Sequence, residues 1–173
     1  CAKVPYSCRL NTKAKLNKWK VQEANGIIFT YYHPEGKDPS FDLPHWDIFE
    51  GKKGWTQQKR KKIINKALLQ DIVENAVDIS HFAPVHFFDD PKMKSLEFQD
   101  HTFKMRMDSK KKVLGMTFDS DLEIFYQGPG FALAEVNHPV QFKLITAVTP
   151  IDEKHVMHTF SFVFKKGINP LTD

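Results

Sequence analysis

The chain has 173 residues, 41% of them hydrophobic and 27% charged, and a net charge of +4. That suffices for one domain with a sizeable core, or for one domain and a piece of another. It excludes a disulfide scaffold, because Cys1 and Cys8 build no framework, and no apolar run approaches the roughly 18 residues of a membrane span.

Neither cysteine begins a C-x-H or C-x-x-H, so neither reads as a metal ligand, and an opening on Cys1 rather than Met reads as the interior of a longer protein. In residues 18–32 (KWKVQEANGIIFTYY), Asn25-Gly26 separates two β-favouring runs and predicts a hairpin. Residues 35–55 are rich in Pro, Gly and Asp and predict a linker, which Trp46 and Trp55 pin to the larger domain on its C-terminal side. Thr56 is expected to cap a long helix whose apolar stripe is Ile64, Leu68, Ile72, Ala76 and Ile79. Pro84 is expected to end it near Ser80–Phe82. Lys59–Lys62 (KRKK) then reads as a solvated helix end rather than a nucleic-acid surface, since no row of aromatics accompanies it.

Beyond Pro91 the pattern turns to strands: residues 96–107, a KKK turn, VLGMTF, LEIFY, a break at Gly128-Pro129-Gly130, FALAEV, QFKLITAV and HVMHTFSFVF. The expected fold is α+β, an antiparallel sheet of about six strands packed on a long helix. His158, Phe160, Phe162 and Phe164 share one face of the last strand, with His158 as a core or pocket-lining histidine. Phe103, Phe118, Phe125, Phe131, Phe142, Phe160 and Phe162 are ordinary core or, together, the wall of an apolar pocket. His33, His45, His101, His138 and His155 read as loop or surface residues.

Between these halves lies DIVENAVDISHFAPVH, residues 71–86. On a helix Asp71, Glu74, Asn75, Asp78 and His81 share one face. No Lys or Arg occurs from Ala67 to Pro91, where the chain average predicts roughly three or four. Such a face implies deep burial with internal partners, or a bound metal. Histidines five apart diverge by about 140° on a continuous helix, but a break at Pro84 would set His86 on a turn that folds back beside His81, so that the two can share a metal. Asp78 is placed to orient His81 as a hydrogen-bond acceptor. The spacing leaves two readings open, structural histidines or a metal pair. Two imidazoles with a carboxylate and open positions suit non-haem iron(II) that activates oxygen.

The run E-N-x-x-D-x-x-H-F-x-x-V-H, Glu74 to His86, resembles the mononuclear-iron motif of Rieske non-haem iron oxygenases, in the branch of 3-ketosteroid 9α-hydroxylases and cholesterol 7-desaturases. CAKVPYS with KWKVQEANGIIFTYYHPEG is similar to the tail of a Rieske domain, and YQGPGFALAEV and TPIDEKHVMHTFSFVFKK resemble strands of a helix-grip catalytic domain. The resemblance implies that His81 and His86 bind the iron, that Asp78 bridges toward the Rieske cluster of a neighbouring subunit in a homotrimer, and that Asn75 sits beside the iron. It implies electrons from NAD(P)H through a reductase or ferredoxin, a [2Fe–2S] cluster, and O₂ used to hydroxylate or desaturate a sterol or steroid. The domains implied are residues 1–34 as a Rieske tail, 35–55 as linker and 56–173 as a catalytic domain. Cluster ligands are expected upstream of Cys1 and the third iron ligand beyond Asp173, with Asp152, Glu153 and Asp173 as poor candidates, so that the fragment is inactive alone. The expected location is intracellular, with any membrane association through a preceding segment. The rival readings are a non-catalytic lipid- or sterol-binding module of the same shape and a zinc hydrolase site.

Overall fold

The computed structural model describes residues 5, 6, 13 and 18–167, so Cys1, Cys8 and Asp173 lie outside the described residues. The chain divides into two compact units, Cys1–His45 and Trp46–Asp173.

In the first unit Asn25 and Gly26 take φ of 56° and 69°, the left-handed pair that a two-residue hairpin turn requires. They join β1 (Lys20–Ala24) to β2 (Ile27–Tyr31) with Ala24 opposite Ile27, as the sequence predicts. The Asn25 side chain is wholly buried and donates through Nδ2 to the carbonyl of Pro44 at 2.9 Å. That bond ties the turn to the end of the unit.

The second unit is a seven-stranded antiparallel sheet in the order β3-β9-β8-β7-β6-β5-β4. Its strands are β3 (Lys59–Asn65), β4 (Asp89–Gln99), β5 (Thr102–Val113), β6 (Met116–Gln127), β7 (Phe131–Val136), β8 (Phe142–Pro150) and β9 (Val156–Phe164). Two short helices, α1 (Leu69–Val77) and α2 (Phe82–His86), flank a single 3₁₀ turn at Ile79–His81.

The expected sheet packed on a long helix is therefore wrong. The stretch meant to begin that helix is β3, which pairs with β9 from Lys59↔Phe162 to Asn65↔Val156. Adjacent β-branched Ile63 and Ile64 favour a strand, and pairing with β9 outweighs the modest helix propensity of lysine. Ile64 and Leu68 accordingly stay exposed instead of joining an apolar stripe. Thr56 does not cap a helix. Its N–H donates to the Phe164 carbonyl at 2.9 Å and its Oγ1 accepts from the Phe164 N–H at 3.0 Å. The KRKK run lies on the edge strand, where charged side chains discourage pairing with another sheet.

Two expected strand boundaries also move. Residues 96–107 are not one strand, because Asp100 (φ 51°) and His101 turn the chain between β4 and β5. The KKK run is inside β5, and the turn falls instead at Leu114-Gly115, both left-handed (φ 51° and 81°). VLGMTF is thereby split between β5 and β6, and LEIFY continues β6.

One face of the sheet carries the cross-strand pairs Phe103–Tyr126, Met105–Ile124 and Met107–Leu122, continued on β7 by Ala132 and Val136. The helical segment covers this face with Ala76 and Phe82, aided by Val73, Val77 and Ile79. The buried Tyr126 hydroxyl donates to the Ile72 carbonyl at 3.4 Å, pinning α1 to β6, and burial pushes the phenol up to about 12. By register Phe118, Phe142, Phe160 and Phe162 share this face, whereas Phe125 and Phe131 lie on the opposite one. There Trp46 stacks on Phe131 with ring centres 5.8 Å apart. The seven phenylalanines therefore do not line a single pocket.

Candidate metal centre

The helical run breaks at Asp78, ahead of Pro84. Asp78 has extended backbone (φ −76°, ψ 98°), and its Oδ1 accepts from the Ser80 N–H at 2.9 Å and the Ser80 hydroxyl at 2.5 Å. An aspartate that satisfies local N–H groups this way stops one helix and starts the next turn. Pro84 lies inside α2, in its first turn, where no helical N–H is required. α2 ends at His86 because Phe87 takes a left-handed φ of 57°.

This sequence of turns brings the two histidines together. Their ring centres are 5.1 Å apart and their planes cross at 76°. Buried Phe82 packs beside both, its ring centre 4.3 Å from that of His81 and 5.7 Å from that of His86. His81 Nδ1 is 2.5 Å from the main-chain carbonyl of Asp78, which can only accept, so Nδ1 carries the proton and Nε2 keeps its lone pair. The Asp78 carboxylate stands farther off, with Oδ2 3.9 Å from Nδ1. Its hydrogen bonds from Ser80 hold its carboxyl pKa below the ordinary carboxylate range. Desolvation of its ring, the His81 ring and Lys111 together lower the basicity of His86, which favours the neutral imidazole that a metal needs.

The acidic face itself is not buried. Asp71, Glu74, Asn75 and Asp78 are all exposed. Asp71 accepts from the Leu68 N–H at 2.8 Å at the start of α1, and Glu74 accepts from Gln70 Nε2 at 2.5 Å. Two of the acids thus have local structural roles. The missing cation arrives from elsewhere: Lys111 on β5 donates to the His86 carbonyl and stands 4.3 Å from the centre of the Phe88 ring. No sequence signal links residues 25 apart on a helix and a strand, so Lys111 is legible only from the fold.

The spacing of the two rings is compatible with two ligands of one ion. Imidazoles bound through nitrogen at about 2.1 Å and near a right angle have ring centres about 5 Å apart. Among the described residues no third His, Cys, Asp or Glu completes a cluster. Asp152 is committed to its own turn, accepting from the Lys154 N–H at 2.8 Å and facing His155 Nδ1 at 2.9 Å.

The family model described as 3-ketosteroid 9α-hydroxylase C-terminal domain matches residues 30–171. The chain belongs to that family. Relatives of this ketosteroid hydroxylase type include a 3-ketosteroid-9-alpha-monooxygenase oxygenase component of Rhodococcus rhodochrous, 26% identical over 96% of this chain and 48% of that protein. Cholesterol 7-desaturase nvd 1 of Ciona intestinalis is 34% identical over half of this chain and 18% of that protein. The chain thus spans less than half the length of these curated relatives. Solved structures share the fold: the QL mutant of NdmA of Pseudomonas putida CBB5 with theobromine at TM-score 0.71 and 17% identity, covering 95% of this chain and 49% of that one. Dicamba monooxygenase bound to dicamba superposes at TM-score 0.69 and 16% identity, covering 88% of this chain and 51% of that one.

Proposed function

We propose that this chain is the greater part of the catalytic domain of a Rieske-type oxygenase that hydroxylates or desaturates a sterol or steroid. The observation that carries the reading is the His81–His86 pair, brought to 5.1 Å by the break at Asp78 within a chain of the ketosteroid hydroxylase family. His81, through Nε2, and His86 hold a mononuclear non-haem iron(II), and a third ligand comes from outside the described residues. When bound, that iron supplies oxygen activation beside the substrate carbon. His81 is held in its ligating tautomer by the Asp78 carbonyl. Phe82 keeps the two rings in place and water away from their inner side. Asn75, one turn before Asp78 on the exposed face, offers a polar side chain near the site.

Asp78 has one carboxylate oxygen engaged by Ser80 and a side chain still half exposed. That arrangement suits a bridge to a neighbouring subunit, where the [2Fe–2S] cluster of a homotrimer delivers electrons drawn from NAD(P)H by a reductase or ferredoxin. Residues 1–34 are the tail of the cluster domain, 35–55 the linker and 56–173 the catalytic portion. Among the described residues no helix is long and apolar enough to cross a membrane.

The test is turnover by the complete protein with its reductase and O₂, comparing wild type with Asp78→Asn. Wild type oxidises a 3-ketosteroid or cholesterol, and the variant keeps its iron while turnover falls at least about tenfold. Full turnover in Asp78→Asn refutes the bridge, and no oxidised sterol or steroid from wild type refutes the function.

A further inference from the structure

His158 lies on the helix-covered face of the sheet, in register with Val148 on β8 and Ile63 on β3. It is only 9% exposed, and its Nε2 is buried without a hydrogen-bond partner among the described residues. Its ring centre is 4.0 Å from that of Phe160, and Phe162 and Phe164 continue the row at 6.3 and 6.4 Å. All three phenylalanines are half-buried. A buried polar nitrogen normally finds a partner, because leaving one desolvated and unbonded is costly. A row of half-buried phenylalanines ending in one unsatisfied nitrogen suits a hydrocarbon frame that carries an oxygen at one end.

We propose that His158 is the polar anchor of a sterol or steroid site. Its Nε2 hydrogen-bonds a ketone or hydroxyl oxygen of the ligand, while Phe160 and Phe162 pack against the hydrocarbon rings. The substrate class rests on the function proposed above; the anchor deepens that reading by assigning the residue that recognises oxygen. Burial lowers the basicity of the ring, so it stays neutral, with one N–H and one lone pair. A neutral ring presenting Nε2–H donates to a ketone, and either tautomer bonds a hydroxyl. In this role His158 is a specificity residue that recognises the ligand oxygen.

The test is equilibrium binding to the complete protein of 4-androstene-3,17-dione and of 5α-androstane, which has no oxygen. His158→Phe is expected to weaken the dione roughly tenfold or more, and to change 5α-androstane by less than about twofold. His158→Gln keeps an N–H donor and is expected to restore the dione to within about threefold of wild type. Thermal melts of both variants check that the fold is intact. Equal losses for the two ligands, or an unchanged dione affinity in His158→Phe, overturn the anchor. Iron measured on the same samples separates the two claims. Wild type lacking mononuclear iron fails the oxygenase reading, whereas normal iron with equal losses fails only the anchor.

Discussion

In the complete protein, His81→Ala and His86→Ala each reduce sterol or steroid turnover by more than ~100-fold, while His86→Ala leaves folding stability within about 0.5 kcal/mol of wild type. The combination is what distinguishes a ligand from a structural histidine. His86 is exposed, and no side-chain hydrogen bond to its ring supports the fold among the described residues. What it contributes to the fold is a main-chain carbonyl, which accepts from Lys111 and survives the substitution. His81 is more enclosed, with a side chain 12% exposed and a bond to the Asp78 carbonyl, so His81→Ala also costs about 1 kcal/mol. Steady-state turnover and urea unfolding of the same preparations check both halves. Substantial destabilisation by His86→Ala with turnover intact returns the pair to a structural role.

Met105→Ala destabilises the second unit by about 2–5 kcal/mol. Met105 has no exposure, stands opposite Ile124 on β6, and belongs to the apolar layer beneath Ala76 and Phe82. Removing its thioether leaves a cavity that antiparallel strands hydrogen-bonded on both sides cannot close. The loss lowers the denaturation midpoint in urea without changing the slope. A midpoint within error of wild type means that the helical segment and the sheet do not share this core. The consequence reaches the metal centre, because Phe82 belongs to the same layer and packs beside both histidine rings.

How much of the molecule is legible in the sequence depends on the range of the interactions involved. The Asn25-Gly26 turn is local, and its left-handed pair is dictated by two residues. The His81–His86 pair stands out by its spacing and by the cation-free run around it. The long helix fails because the state of Lys59–Asn65 is set about a hundred residues away, by the hydrogen-bonding edge of β9. Pro84 is the residue that sequence rules choose for the break, but Asp78 makes it, by turning its carboxylate back on Ser80. A proline in the first turn of a helix and one that ends a helix look alike until the turn is located. Deep burial of the acidic face is likewise not found: Asp71 and Glu74 serve α1 itself, and Lys111 enters from β5. The orphaned nitrogen of His158 requires three strands in register before it can be recognised as enclosed.

The central claim is that His81 and His86 together hold one iron. Metal analysis of the complete protein tests it most directly, comparing wild type with the double variant His81→Ala/His86→Ala. Wild type is expected to contain about three irons per subunit, two in the cluster and one mononuclear, and the double variant about two. Iron unchanged in the double variant, or stoichiometric zinc in place of the third iron, contradicts the account.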